Sequence, residues 1–245
     1  MKNMFKKLKN YLLDLIFPKH IKCIFCGDEL NEKAKLDTCT KCQNSLPLIS
    51  TCCDRCGLPV PYDFVGVCQQ CKRQNYNFET ARSVFSYTGK VMSLVRKVKF
   101  RSKKVFIPKM AEYLHAYLTE WNIKVDLIAF VPMHPKREKE RGFNQSKLLA
   151  EELSRLSNIP ITYCVNKIKN TLNQRDLSFQ KRQENILDAF KVKKENKSEI
   201  KNKTILIIDD VFTTGATTSE LSKTLKQSGA KACYVLTFAH TLLDH

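Results

Sequence analysis

Apolar runs and helically spaced apolar positions alternate along the last two thirds of the chain. Ile205 to Ile208 is an unbroken apolar run, as in strands that are covered on both faces of a parallel sheet. Leu149, Leu153 and Leu156 instead recur at helical spacing. Strands are predicted at 82–87, 127–131, 204–208 and 232–238. The alternation predicts an α/β domain with an open, mostly parallel sheet in residues 76–245.

The first 75 residues follow a different pattern. Apolar side chains at helical spacing, surrounded by lysines, predict an amphipathic helix in residues 1–20. Such a helix suits packing against the neighbouring residues, which we favour, or peripheral contact with a membrane. No stretch approaches the roughly 20 apolar residues needed to span a bilayer, so we expect a soluble protein.

Nine of the 11 cysteines fall between residues 23 and 71, and eight of them form four Cys-x-x-Cys pairs. Two such pairs complete a tetrahedral zinc site. Similar short gaps separate the pairs, so we predict two ribbons formed in sequence order within residues 21–75; a cross-brace is the alternative. Gly27 and Gly57 follow their pairs where the turn needs positive φ. The predicted ligands are Cys23, Cys26, Cys39 and Cys42 for one ion and Cys53, Cys56, Cys68 and Cys71 for the other.

Closed four-sulfur sites leave no position for a water molecule, so both zinc ions are predicted to be structural. Redox-active pairs are the alternative, and a docking role of the ribbons is another; Cys52 is a ninth thiol without an assigned place. A disulfide framework would require export. The N-terminus has no recognisable signal peptide, which leads us to expect a reduced, cytoplasmic chain.

An acidic pair and a threonine-rich loop follow the strand predicted at 204–208. Asp209 and Asp210 would lie at the carboxyl end of the strand, where ligands bind in open α/β sheets. The loop offers hydroxyls and backbone N–H groups at a helix N-terminus, a combination that binds phosphate. Thr217 and Glu220 are predicted to cap this helix, and Gly229 to end it. A sugar phosphate would satisfy both the acids and the loop.

These residues resemble the 5-phosphoribosyl-1-pyrophosphate (PRPP) signature of type I phosphoribosyltransferases. The resemblance implies that Asp209 and Asp210 are catalytic and contact the ribose 2′ and 3′ hydroxyls, that the loop binds the 5′-phosphate, and that Mg²⁺ accompanies PRPP. The residues implied to bind PRPP are Asp209, Asp210, Val211, Thr213, Thr214, Gly215, Ala216 and Thr217, together with Arg137 and Arg141.

Arg137 and Arg141 belong to a cationic segment after the strand predicted at 127–131. We predict that this segment is a loop, followed by a helix that Asn144 opens. A pyrophosphate loop belongs here in a phosphoribosyltransferase, and a solvated surface that attracts nucleic acid is the alternative. The polar segment 173–185 occupies the place of a lid, or is an ordinary surface loop.

The order of these segments, including Arg141-Gly-Phe-Asn-Gln145, is similar to the ComF family of competence proteins, in particular its ComFC-like members. The resemblance implies a role in natural transformation, in which the protein handles single-stranded DNA beside a ComFA-type helicase and a recombination mediator. An active phosphoribosyltransferase with an unknown acceptor is the alternative function.

The positive net charge of the chain is consistent with a polyanionic partner. The formal net charge is +18, and residues 76–245 carry 30 Lys and Arg against 17 Asp and Glu. The segment Lys90–Lys104 reads as an amphipathic helix whose cationic face suits DNA phosphates or solvent. Phe100 is expected in the core, rather than stacked on a base.

Overall fold

The computed structural model describes residues 22–31, 34–101, 103–171 and 185–242. The chain divides after Leu46 into two compact units. The first unit holds four of the predicted zinc ligands, and the second holds the other four and the sheet. The predicted helix in residues 1–20 and the segment 173–184 lie outside the described residues. The predicted boundaries at residues 20 and 75 stay a prediction.

A parallel sheet forms the centre of the second unit. The strands are β1 (Thr80–Ser86), β2 (Leu127–Phe130), β3 (Val165–Lys167), β4 (Phe190–Val192), β5 (Thr204–Phe212) and β6 (Ala232–His240). Four of them form the main sheet in the order β1-β6-β5-β2, and every pairing in it is parallel. Ile205 to Ile208 of β5 are fully buried, as the apolar run predicts. The α/β class and the open parallel sheet are therefore confirmed.

Helices follow the strands of the main sheet. They are α1 (Thr40–Gln43), α2 (Gln69–Arg73), α3 (Gly89–Arg101), α4 (Ile107–Trp121), α5 (Pro135–Arg141), α6 (Gln145–Ser157), α7 (Lys197–Ile200) and α8 (Ala216–Gln227). Helices α4 and α6 pack against each other, α6 also packs against β2 and β5, and α8 packs against β4 and β6. No helix within the described ranges is long and apolar enough to cross a bilayer.

The strand that carries the acidic pair is longer than predicted. It continues to Phe212 because β6 runs beside it, with Val211 opposite Ala239 and Phe212 opposite His240. Asp209 and Asp210 therefore lie within the strand. An extended backbone holds the two carboxylates in place.

The cationic segment after β2 is helix α5, so the loop predicted there is wrong. The ring of His134 accepts a hydrogen bond from the Lys136 N–H, Pro135 opens the helix, and Gly142 ends it with φ of 81°. Helix α6 then begins as predicted, because the Asn144 side chain accepts from the Ser146 and Lys147 N–H groups.

The capping box predicted for α8 is also wrong. The helix begins at Ala216, directly after Gly215, so Thr217 lies in its first turn. Glu220 accepts a hydrogen bond from the Asp188 N–H at 3.0 Å instead. Gly229 has φ of 105° and follows the end of the helix, as predicted.

Strands β3 and β4 form a separate antiparallel pair that the sequence did not indicate. Each has three residues, which is too short for an alternating pattern to be recognised. Lys167, at the end of β3, lines the cleft described below.

Candidate ligand cleft and metal centres

An open cleft of about 560 Å³ lies where β2 and β5 end. Its walls come from the end of α3, helix α5, the start of α6, β3 and the residues around the acidic pair. Most of the predicted ligand-binding residues line it, namely Arg137, Arg141, Asp209, Asp210, Val211, Thr213, Gly215 and Thr217.

The two acids of the pair have different surroundings. Asp209 Oδ1 accepts hydrogen bonds from Ser146 Oγ at 2.6 Å and from the Asp210 N–H at 2.9 Å. Burial, and then the adjacent charge of Asp210, raise the pKa of Asp209 to about 7. Asp210 Oδ2 lies 3.5 Å from Lys99 Nζ of α3. The pKa of Asp209 is therefore close to neutral pH, while Asp210 lies beside an ammonium group.

The threonine loop, Thr213–Thr217, follows the acidic pair. Thr213, Gly215 and Thr217 line the cleft, whereas the side chains of Thr214 and Ala216 are buried. Gly215 has φ of 74°, and a Cβ there would lie 2.6 Å from the Phe212 ring. The loop thus presents two hydroxyls and closely packed backbone to the cleft.

Cations face the acidic pair across the cleft. Five Lys and Arg residues line it within the described part of the chain, against two Asp: they are Arg96, Lys99, Arg137, Arg141 and Lys167. Burial, and then the charge of Arg137, lower the pKa of Lys167 to about 8, although Asp209 acts in the opposite direction. This excess of positive charge suits an anion with several charges.

Gln145 is a cleft residue that the site prediction missed. Its Oε1 accepts from Arg141 Nη1 at 3.1 Å, while its buried Nε2 has no partner within the described residues. The segment Arg141-Gly-Phe-Asn-Gln145 carried the signal. The tight connection at residues 142–144 brings the end of α5 and the start of α6 together, which makes the two side chains adjacent.

Lys99, Ser146 and Lys167 were also missed. Lys99 belongs to the cationic face that the sequence indicated, whereas Ser146 and Lys167 carried no signal because their partners lie on distant segments. Phe100 was expected in the core, which is wrong. It is 55% exposed and lines the cleft, with its ring 6.0 Å from Arg141 Cζ.

The eight paired cysteines form two quartets in sequence order, and not a cross-brace. The first quartet is Cys23, Cys26, Cys39 and Cys42, and the second quartet is Cys53, Cys56, Cys68 and Cys71. In each quartet the four Sγ atoms lie within 4.8 Å of one another. Gly27 and Gly57 have the positive φ that was predicted.

The sulfur spacing suits zinc. Zn–S bonds of about 2.3 Å give tetrahedral S···S edges of about 3.8 Å. The structure has 3.6 Å between Cys26 and Cys39, and 3.7 Å for both Cys53–Cys71 and Cys56–Cys68. The two clusters are compatible with two structural zinc ions. Cys52 belongs to neither quartet, and burial raises its pKa.

Together these features define a class of protein. An open parallel sheet carries an acidic pair in a central strand, a threonine loop and a helix follow that pair, and two cysteine quartets precede the sheet. This is a phosphoribosyltransferase-like α/β protein with a double zinc ribbon. Residues 12–72 match the double zinc ribbon domain family.

Named relatives extend over most of the chain. Competence protein F of Haemophilus influenzae is 29% identical over 88% of this chain and 95% of its own. DNA utilization protein YhgH of Escherichia coli is 29% identical over 83% and 90%, and competence protein ComFC of Bacillus subtilis is 28% identical over 88% and 92%. The resemblance to the ComF family is therefore confirmed.

Solved phosphoribosyltransferases are more distant. A purine phosphoribosyltransferase from Pyrococcus horikoshii is 21% identical, covers 55% of this chain and 73% of its own, and has a TM-score of 0.36. The sheet order and the strand that carries the acidic pair define the fold of this chain.

Proposed function

We propose that the cleft binds PRPP, or a related sugar phosphate, together with Mg²⁺, and that the protein is an accessory factor in DNA uptake. One observation carries the first part of the proposal. The acidic pair and the threonine loop, which suit ribose hydroxyls and a phosphate, share a cleft with five Lys and Arg residues. PRPP combines vicinal hydroxyls with phosphates at both ends of the sugar.

Each part of the cleft would take a different part of the ligand. Asp209 and Asp210 accept hydrogen bonds from the ribose hydroxyls, and the threonine loop takes the 5′-phosphate. Arg137 and Arg141 suit the pyrophosphate because guanidinium groups bind phosphate oxygens in pairs. Mg²⁺ prefers oxygen ligands, which the acidic pair and the phosphates supply, and it would neutralise part of the ligand's charge.

The test is calorimetric titration of PRPP with Mg²⁺ into the zinc-loaded chain. We expect micromolar affinity, and a loss of about 100-fold or more in an Asp209→Asn, Asp210→Asn double variant. The matched control is Glu195→Gln with Glu199→Gln, which removes two exposed acids outside the cleft. The absence of binding to the unmodified chain, or equal binding to the double variant, would contradict the proposal.

An active transferase is the second candidate, and the cations facing the acidic pair favour it. In such a reaction the C1–O bond to pyrophosphate breaks, pyrophosphate leaves with the bonding electrons, and an acceptor bonds to C1. Arg137 and Arg141 would stabilise the leaving group. Pyrophosphate release with nucleobases or amines as acceptors tests this candidate, and Arg137→Gln should reduce the rate at least tenfold.

DNA handling is the other part of the proposal. Its support is the net charge of +18 and the relatives named for competence and DNA utilization. Binding of a single-stranded oligonucleotide should be tighter than about 10⁻⁴ M at physiological salt and should weaken as salt is added. Weaker binding, or binding insensitive to salt, would contradict this part.

Protein partners follow from the same family resemblance. A ComFA-type helicase and a recombination mediator are the proposed partners, with the ribbon of the first unit as the docking surface. Co-purification of such a helicase with the full chain, and its loss when residues 1–46 are removed, would assign docking to the first unit. We favour a cytoplasmic location for these steps.

A further inference from the structure

The second quartet is part of the core beneath the sheet, rather than a separate appendage. Cys53, Cys56 and Cys68 are buried in one apolar cluster with Phe212 and Ala216, which flank or belong to the threonine loop. The turn that follows Cys53 and Cys56, the first pair of the second quartet, also lies directly against β1. A Cβ at Gly57 would come within 2.6 Å of the Ala81 carbonyl oxygen. The quartet and the strand therefore have fixed relative positions.

A chain of two hydrogen bonds leads from the second quartet to the threonine loop. Arg55 lies between Cys53 and Cys56, and its Nη2 donates to the Tyr76 carbonyl oxygen at 2.8 Å. The Tyr76 hydroxyl then donates to the Thr214 carbonyl oxygen at 3.0 Å, in a buried position. Tyr76 therefore accepts a hydrogen bond from Arg55, which lies within the second quartet, and donates one to the backbone of the threonine loop.

Aromatic packing makes the same connection without hydrogen bonds. The Tyr76 ring stacks on Phe78 with 4.7 Å between centroids, and Phe78 meets the Phe212 ring edge-on at 6.0 Å. A Cβ at Gly215 would lie 2.8 Å from the Tyr76 ring, so the loop backbone rests directly on it. Tyr76 is therefore in direct contact with the loop backbone.

The residue after Tyr76 extends the connection to α8. Both the N–H of Asn77 and its side-chain Nδ2 donate to Ser219 Oγ, at 3.0 and 3.1 Å. Ser219 lies in the first turn of α8, where the helix N–H groups point toward the loop. The start of the helix and the loop are thus held by two consecutive residues.

From these contacts we infer that the second quartet, with its metal bound, sets the shape of the threonine loop, and that Tyr76 is the positioning residue between them. The inference rests on the proposed function for its ligand, a sugar phosphate. A metal ion fixes the spacing of the two Cys-x-x-Cys pairs and thereby the place of Arg55. Loss of that metal, or of the Tyr76 hydroxyl, frees the loop carbonyl and weakens phosphate binding.

The first experiment compares Tyr76→Phe with the unmodified full chain. Phenylalanine keeps the stacked ring and removes only the hydroxyl. We expect backbone amide exchange in residues 213–217 to rise about tenfold and the affinity for ribose 5-phosphate to fall about five- to tenfold, as for one hydrogen bond. Zinc content should stay at two ions per chain. Tyr117→Phe on α4, outside the cleft, is the matched control.

The second experiment compares the two quartets. Cys26 and Cys71 are both half-buried ligands, one from each quartet. Cys71→Ser should raise exchange in residues 213–217 and weaken binding of ribose 5-phosphate, whereas Cys26→Ser should leave both unchanged. Circular dichroism shows whether the Cys71→Ser variant keeps its fold. If this variant is unfolded, the Tyr76→Phe variant alone tests the inference.

Unchanged loop exchange in Tyr76→Phe would overturn the inference, as would an equal effect of Cys26→Ser and Cys71→Ser. A drop in melting temperature with zinc loss, but without a change confined to residues 213–217, would assign Tyr76 a merely structural role and also overturn it. If the unmodified chain binds neither ribose 5-phosphate nor PRPP, the proposed function fails, and the exchange data still decide the inference.

Discussion

Lys167 is a cleft residue whose protonation a polyanionic ligand should change. Its pKa is lowered to about 8 by burial and by Arg137, so near pH 8 it carries its proton only part of the time. Phosphate groups would raise that pKa, because an opposite charge favours the charged form. We therefore expect PRPP binding to take up protons near pH 8 and the affinity to fall as pH rises from 7.5 to 9.5.

Calorimetry in buffers of different ionisation enthalpy measures this proton uptake. Lys167→Arg is the matched variant, since a guanidinium group stays charged throughout the range. The affinity of the variant should fall less between pH 7.5 and 9.5 than that of the unmodified chain. Equal pH dependence in both proteins would rule out Lys167 as the titrating group.

Asp209 should make the free energy of unfolding depend on pH. Its pKa is raised to about 7, whereas an aspartate in the unfolded chain titrates near 4. Between these values the folded chain binds more protons, so stability falls as pH rises toward 7. Asp209→Asn should flatten this dependence and raise the free energy of unfolding at pH 8 by about 1–3 kcal/mol.

Urea unfolding between about pH 6 and pH 8 checks this expectation, with zinc content measured at each pH because metal affinity depends on pH. Asn keeps an oxygen that can accept from Ser146, so the comparison isolates the charge. Asp63→Asn, at an exposed position, is the control and should leave the slope unchanged. An equally steep pH dependence in Asp209→Asn would contradict the assignment.

At the residue scale, the predicted and missed cleft residues differ in how they are arranged along the chain. Asp209, Asp210 and the threonine loop are consecutive, so their chemistry could be recognised together. Lys99 and Lys167 reach the cleft from α3 and β3, and only the folded chain brings them opposite the acidic pair. Single cations have no pattern that separates them from a solvated surface.

At the scale of elements, the junction between β5 and α8 should tolerate no side chain at Gly215. Its φ is 74°, and a Cβ would lie 2.6 Å from Phe212 and 2.8 Å from Tyr76. Gly142 offers a matched control, because its φ is 81° but nothing lies within 4 Å of its Cβ position. We expect Gly142→Ala to cost about 1 kcal/mol of backbone strain and Gly215→Ala to cost about 2–4 kcal/mol.

Thermal and urea unfolding of the two alanine variants measure the difference. Gly215→Ala should also weaken PRPP binding at least tenfold, because it displaces the threonine loop. Equal stability loss in both variants would mean that the Tyr76 and Phe212 rings can move aside.

Element boundaries were the least predictable part of the fold. The cap at Asn144 was correctly predicted because a short polar side chain before a periodic run has few other uses. Helix α5 was mistaken for a loop, since its polar, charged sequence has no apolar face to reveal it. The extension of β5 to Phe212 depends on its pairing with β6, which no local pattern contains.

At the scale of the whole molecule, two similar cysteine quartets have different positions in the fold. Spacing alone was enough to predict how the eight ligands group. It could not predict that the second quartet shares a compact unit with the sheet, because that depends on which apolar surfaces the ribbon buries. The two quartets therefore have similar sequences but different structural surroundings. Metal loss should have different consequences at the two sites.

The net charge and the cleft should act separately on nucleic acid and on PRPP. The formal charge is +18, and eight zinc-bound thiolates on two ions lower it to about +14. Affinity for a single-stranded oligonucleotide should therefore fall with salt, with a slope of about −0.7 per phosphate contacted. The Asp209→Asn, Asp210→Asn variant should lose PRPP binding and keep or slightly strengthen oligonucleotide binding, because it removes negative charge from the cleft.

Fluorescence anisotropy of a labelled oligonucleotide between 50 and about 300 mM salt measures both proteins under identical conditions. Parallel salt slopes, with equal or tighter binding by the double variant, would assign DNA binding to positive charge that does not depend on the acidic pair. A loss of oligonucleotide affinity in the double variant would instead make the acidic pair part of the nucleic-acid site, and the two ligands would then have to compete for one cleft.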